Sequence, residues 1–166
     1  MVEEKILELL NSQFNDELFS SYQYLEMSAY FESINFSGFS NWMKIQSEEE
    51  YMHAMKFYNY ILQVEGRIEF AKIDAPKGGW ESIKDVFENV YKHEQGVTKS
   101  IYELVELAHS QKDFATHNFL QWFVSEQIEE EATSLRILKK IKLIGDDKNG
   151  LFFLDNEIGQ RTNTPT

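Results

Sequence analysis

Cysteine is absent, which excludes disulfide staples, thiolate zinc sites and thiolate-held iron–sulfur clusters together; any metal must be held by Glu, Asp or His. Proline is scarce. Only Pro76 and Pro165 occur, so long stretches are free to be helical without interruption. No apolar run is long enough to span a bilayer. Met1 to Leu10 alternates acids with aliphatics and lacks the basic-then-apolar pattern of a secretory leader, so a cytoplasmic location is expected. Basic residues are few beside the acids, and the formal net charge of -12 repels nucleic acid phosphates and anionic membranes while attracting cations. Neither nucleic acid nor membrane is expected as a partner. What is present is apolar material, 42% hydrophobic and 14% aromatic, too much for a disordered chain. One domain is expected over residues 1–160, with 161–166 a disordered tail.

The remaining punctuation divides the chain into helices. The first is expected from Val2 to Glu32 and the second from Gly38 to Glu65, with Ser37 as N-cap. Gly66 to Gly79 is the only long irregular stretch, and Ser82 with Asp85 resembles a capping box opening the third helix. That helix should end near Ser110. Asp113 should cap a fourth ending near Leu143, where Gly145-Asp146-Asp147 and Asn149-Gly150 break it, and Leu151 to Ile158 should form a short fifth. The fold class predicted is all-α, a four-helix bundle made of two hairpins with one long crossover between the second and third helices.

The apolar stripe of each helix, traced at spacings of three and four, breaks near its middle. The first reads Leu7, Leu10, Phe14, Glu17, Ser21, Tyr24, Ser28, Phe31, and the second Phe39, Trp42, Gln46, Glu50, His53, Phe57, Tyr60, Val64. The third reads Ile83, Phe87, Val90, Glu94, Val97, Ile101, Leu104, Ala108; in the fourth, Leu120 and Phe123 lead to Gln127 and Glu130 before Ile137 and Ile141. Every break lies roughly 12 to 16 residues from its helix start, about 20 Å along an axis rising 1.5 Å per residue. Glu17, Glu50, His53, Glu94, Gln127 and Glu130 should therefore converge at mid-height. Four buried carboxylates without cations would be prohibitively costly, whereas two divalent ions cancel them in formal charge. Hard oxygens with one imidazole suit iron or manganese, with zinc able to intrude. His53, three residues after Glu50, shares that residue's face. His93, His109 and His117 fit no such constellation and read as surface residues; Glu48 and Glu131 read as solvated acids, and Trp122 as a packing aromatic. Tyr24, two turns from Glu17, could supply an electron or a hydrogen bond.

At these residues the chain resembles the bacterial non-haem ferritins, and the resemblance extends through Asn118-Phe-Leu-Gln-Trp-Phe123 and Asn149-Gly-Leu-Phe-Phe-Leu154. It implies a ferritin-like bundle in which Glu17, Glu50 and His53 hold one iron, Glu94 and Glu130 a second, and Glu50 bridges them, with Gln127 nearby. It also implies a homo-oligomeric shell of 24 subunits that oxidises iron(II) and stores it as ferric oxyhydroxide. Related families match less well. The second Glu-x-x-His of bacterioferritins and many di-iron oxygenases is here Gln127 and Glu130, and Tyr51 stands where bacterioferritins carry their haem-ligating methionine. Met52 follows, turned by about 100°. No haem is expected. Rubrerythrins carry a cysteine-ligated domain that this chain lacks. Where animal ferritins place nucleating acids and an acidic three-fold channel, the matching positions are Met52 and Met55, and His117 and Leu120.

The function expected is that of a ferroxidase acting on iron(II) with dioxygen or hydrogen peroxide. By spacing alone Glu49, Glu126 and Glu129, one step round from the proposed ligands, read equally as a solvated acidic face; the resemblance implies a third iron site there, with Glu130 shared. The rival readings are a di-iron oxygenase or peroxide reductase acting on a separate substrate, and a metal-free structural bundle whose buried acids are protonated or paired.

Overall fold

The periodic apolar stripes build five helices, and no strand occurs among residues 2–162, which the computed structural model describes. They are α1 (Glu4–Ser33), α2 (Ser37–Gln63), α3 (Ile83–Ser110), α4 (Phe114–Ile144) and α5 (Lys148–Ile158). α1 pairs with α2 and α3 with α4, the hairpins meet through α1 and α3, and α5 packs on α2 and α4. Residues 64–82 form the expected crossover. None of these helices is long and apolar enough to cross a membrane.

The helix ends follow local chemistry, with three exceptions. Asp85 N–H donates to Ser82 Oγ (3.1 Å) at the start of α3, and Thr116 N–H donates to Asp113 Oδ1 (3.0 Å) at the start of α4, as expected. Asn35, Glu65 and Lys112, at φ of 62°, 60° and 58°, take the left-handed turn that closes α1, α2 and α3. Ser37, by contrast, does not cap α2. It is the first helical residue, and the preceding Phe36 offers no cap. The cap comes from α5 instead, where Asp155 Oδ1 accepts from Phe39 N–H at 2.7 Å. Gly38 makes the room, since a Cβ there would stand 1.9 Å from the Asp155 carbonyl oxygen. The second exception is α5. Asn149 and Gly150, expected to break the chain, donate their N–H groups to the Asp147 carboxylate (3.2 and 3.1 Å) and open α5 three residues early. The third is Arg161, expected in a disordered tail. Its carbonyl accepts from Asn41 Nδ2 (3.1 Å) and its guanidinium lies 4.8 Å over the Trp42 ring. Residues 163–166 of that tail lie outside the described residues.

The crossover is held by side-chain amides of α1 that substitute for a neighbouring strand. Asn11 donates to Arg67 O (2.9 Å) and accepts from Glu69 N–H (2.8 Å). Asn15 pairs in the same way with Glu69 O and Ala71 N–H, both at 2.8 Å. Gln23 does so with Lys77, donating to its O (2.9 Å) and accepting from its N–H (2.8 Å). Trp80 then donates to Glu26 Oε2 (2.7 Å). An irregular segment thus keeps its backbone satisfied without a ladder of its own.

Two apolar clusters fill the bundle. One, around Phe31, Phe39, Phe87 and Ile141, occupies one end; the other, around Leu10, Phe57, Ile101 and Phe123, occupies the opposite end. The stripe positions between them are polar. Replacing Gln23 by Ala should leave the Lys77 amide and carbonyl without partners and destabilise the bundle by about 1–2 kcal/mol. Chemical denaturation of the variant beside wild type checks this, and an unchanged midpoint would show that solvent replaces the pairing.

Candidate metal centre

Between the clusters lies a polar layer to which every long helix contributes: Glu17 from α1, Gln46, Glu50 and His53 from α2, Glu94 from α3, and Gln127 and Glu130 from α4. All are buried, Glu17 and Glu94 to 1% exposure. The mid-height argument from the stripes therefore holds in three dimensions. One ligand atom each from Glu17, Glu50 and His53 lies within 4.8 Å of the others, and a second such group joins His53, Glu126 and Glu130. Glu94 joins neither group. It accepts a short hydrogen bond from the Tyr24 hydroxyl and another from Gln127 Nε2 (3.2 Å), which gives both residues a place at the centre. His53 Nδ1 stands 3.2 Å from Glu50 Oε2, and Trp122 meets the His53 ring edge-on at a centroid distance of 5.3 Å.

Burial and mutual repulsion set the charges. Burial, then the Glu50 charge, raises the Glu17 carboxyl well above the ordinary carboxylate range. The same two causes lift Glu94 to about 8, and burial followed by the charges of Glu94 and Glu50 raises Glu130 well above that ordinary range. Burial also opposes ionisation of Glu50, yet the imidazolium beside it holds Glu50 down at about 2. His53 is the counterpart: burial pulls its pKa down, but the hydrogen bond and charge of Glu50 overcome this and raise it to about 9. Without a cation the layer holds one ion pair, Glu50 with His53, while burial and mutual repulsion favour the neutral forms of Glu17, Glu94 and Glu130.

The donor set fits metal. Glu17 Oε1 accepts from Gln13 Nε2 (2.8 Å), while Glu17 Oε2, also buried, receives no donor, alone among the buried side-chain polar atoms of the described residues, and the carboxyl shares a proton with Glu50. A carboxyl so placed beside a second carboxylate and an imidazole could hold a metal ion. The model of the ferritin-like domain family, Ferritin, matches residues 7–144. The chain belongs to the ferritin family. A bacterial non-heme ferritin of Bacteroides fragilis is 47% identical over 161 residues, covering 97% of this chain and 100% of its own. One from Staphylococcus aureus is 40% identical over 162 residues, covering 98% of each. The crystal structure of an open pore ferritin from the archaeon Archaeoglobus fulgidus superposes with a TM-score of 0.96 at 51% identity, covering 98% of this chain and 99% of that one.

Within this ferritin the remaining site residues are distributed unevenly. Glu49, Glu126 and Glu129 line one cleft of about 1420 Å³ that reaches His53 and Glu130. Only Glu126 comes within ligand distance of His53 and Glu130; Glu49 is paired with Arg161, and Glu129 is exposed. Gln13 and Gln46 escaped the sequence reading as site residues. Gln13 sits four residues before Glu17, so its amide reaches that carboxylate, but amides in a helix carry no sign that separates them from surface residues. His93, read as a surface residue, is half-buried: it hydrogen-bonds Ser20 Oγ (2.8 Å) and packs edge-on to Tyr24, because α1 covers its face of α3. Glu131 is likewise held, accepting from Thr98 Oγ1 at 2.6 Å.

The proton balance fixes a direction for stability against pH. A carboxyl raised by burial binds its proton more tightly folded than unfolded, so ionising Glu94 as the pH rises toward about 8 costs stability. His53 acts with the same sign, its stabilising charge being fully present below 6.5 and lost through about 9. The depressed pKa of Glu50 acts below this range, its stabilisation being present above 4.5 and lost as the pH falls toward about 2. The melting temperature of chelator-treated protein should fall by on the order of 5 °C between about pH 5 and pH 9, and two divalent cations per chain should remove that fall. Calorimetry across that range checks it; a rise for the metal-free protein would contradict the charge assignment.

Proposed function

We propose that this ferritin takes up iron(II), oxidises it at the polar layer with dioxygen or hydrogen peroxide, and retains the product as ferric oxyhydroxide inside a 24-subunit homo-oligomeric shell. The observation that carries this reading is the layer of four buried carboxyls and one imidazole, in which one Glu17 oxygen receives no donor. Iron is the substrate. In this reading Glu17, Glu50 and His53 receive one ion, Glu94 and Glu130 the other, and Glu50 bridges them. Two iron(II) ions displace the protons that burial keeps on Glu17, Glu94 and Glu130 and the one on His53. Each iron then gives one electron to the oxidant. The two added positive charges exceed what four carboxylates cancel, so solvent-derived oxide or hydroxide binds and protons leave, and the product pair is held less tightly. Gln127 and Tyr24 orient Glu94 by hydrogen bonds, and Tyr24 stands close enough to give an electron. No haem is part of the proposal.

Large apolar side chains left exposed on the single chain support assembly, among them Ile128 at 64%, Leu143 at 89% and Phe153 at 74%. An oxygenase or peroxide reductase would need a pocket for a separate substrate. The cleft reaching His53 carries charges of both signs, Glu48, Glu49, Glu126 and Glu129 with Lys44, Lys56, Arg136, Lys140 and Arg161, so it is membership of the ferritin family that favours iron storage over that reading. His53→Ala should slow rapid iron(II) oxidation by at least roughly tenfold while the mass in solution stays that of a 24-subunit shell. Stopped-flow absorbance and light scattering check this; an unchanged initial rate would refute the ligand assignment, and a monomer the storage reading.

The third site belongs to the same proposal. Glu126 lies between the pair and the cleft, and an ion held there by Glu126, Glu129, Glu49 and Glu130 would donate a further electron without being needed for the first step. Changing Glu126 and Glu129 together to Ala should leave fast two-iron oxidation intact but alter the ratio of iron oxidised to oxygen consumed. Parallel oxygen-electrode and absorbance traces measure that ratio. Wild-type behaviour would return these acids to the solvated face.

A further inference from the structure

Gln46 is fully buried on α2 and is not among the proposed ligands. Its amide nitrogen donates to Glu50 Oε1 (3.1 Å) and to Glu130 Oε2 (2.9 Å), tying a carboxylate of α2 to one of α4. A primary amide has two faces of almost equal shape and opposite hydrogen-bonding sense: the nitrogen holds a carboxylate, whereas the oxygen repels it. Arg161 selects the face. Its Nη1 donates to Gln46 Oε1 at 2.8 Å, which the flipped amide, presenting only N–H, would not accept. Through Nη2 the same guanidinium pairs with Glu49, and its plane lies on Trp42. Both sides of the fork are engaged, a geometry that lysine does not offer. Arg161 itself is placed by α5, which is anchored by Asp155 on Phe39 N–H and by Asn41 on the carbonyls of Gly159 and Arg161.

We infer that Arg161 is a positioning residue of the metal centre: acting through Gln46, it holds the Glu50 and Glu130 carboxylates in the orientation that receives a pair of cations, and it makes that orientation depend on the docking of α5. The inference rests on the metal-pair reading above. The alternative role for Arg161 has the opposite sign. A guanidinium near a cation site repels the cation, so if Arg161 acted only by its charge, removing it would tighten metal binding. If it positions Gln46, removing it loosens metal binding, because the amide is free to turn its oxygen toward the carboxylates.

The test uses the assembled, iron-free protein titrated with cobalt(II) alone, whose visible absorption reports coordination without turnover. Arg161→Leu should weaken cobalt(II) binding roughly tenfold, the scale on which partners behind metal ligands act, and Gln46→Leu should weaken it at least as much. The double variant should bind no more weakly than Gln46→Leu alone, since both changes remove one path. Unchanged or tighter binding in Arg161→Leu overturns the proposal, and so do losses that simply add in the double variant. Glu50→Gln separates this failure from that of the underlying reading. If it abolishes the cobalt(II) absorption while Arg161→Leu does not weaken it, only the role of Arg161 falls. If Glu50→Gln binds like wild type, the metal pair falls and the inference with it. Solution mass and circular dichroism of each variant confirm that the shell and its helices persist.

Discussion

Four carboxyl groups and an imidazole, packed between two apolar clusters, are the constraint around which this molecule is arranged. Carboxylates in such a place repel one another and lose hydration, so the layer exists only if protons or cations neutralise it. The apolar ends supply the compensation, with aromatic stacks such as Phe31 on Phe39 (5.1 Å) at one end and Phe57 on Phe123 (4.3 Å) at the other. Helices of about 30 residues follow from this requirement. A shorter bundle would lack the apolar length on either side to hold such a layer closed.

Charge inside the layer is distributed unequally. Glu50 and His53 already form an ion pair, whereas Glu17, Glu94 and Glu130 are held toward their neutral forms. Arriving cations therefore meet a site that is close to neutral and must expel protons. Specificity then depends on which ions gain enough from hard oxygen donors to drive that exchange. The cleft leading inward is of another kind, with acids such as Glu48 and Glu129 exposed among lysines and arginines.

Much of this was legible in the chain because a helix writes its burial into a fixed period. Glu94 between Val90 and Val97 could only be inside, and four interruptions at one height could only meet. Capping by Ser82 and Asp113 was legible for the same reason, being chemistry within three residues. What stayed hidden involves partners far apart in sequence. Asp155 displaced Ser37 as the cap of α2 because a carboxylate brought in by another helix is a stronger acceptor for Phe39 than a hydroxyl whose residue is already helical. Asn11, Asn15 and Gln23 look like ordinary surface amides until the crossover lies against them. Arg161 looked like part of a polar tail because nothing within ten residues explains it.

The cap on α2 has a consequence for how the protein is made. Asp155 lies 116 residues downstream of the Phe39 amide it satisfies. A ribosome delivering the chain from its N-terminus releases the first hairpin long before that carboxylate exists. Until then α2 begins with bare N–H groups and a glycine, a start that frays readily. Its N-terminal turn therefore becomes fixed last, when α5 arrives. The newborn chain has its hairpins early, but the end of α2 nearest α5 is settled only once α5 has been made.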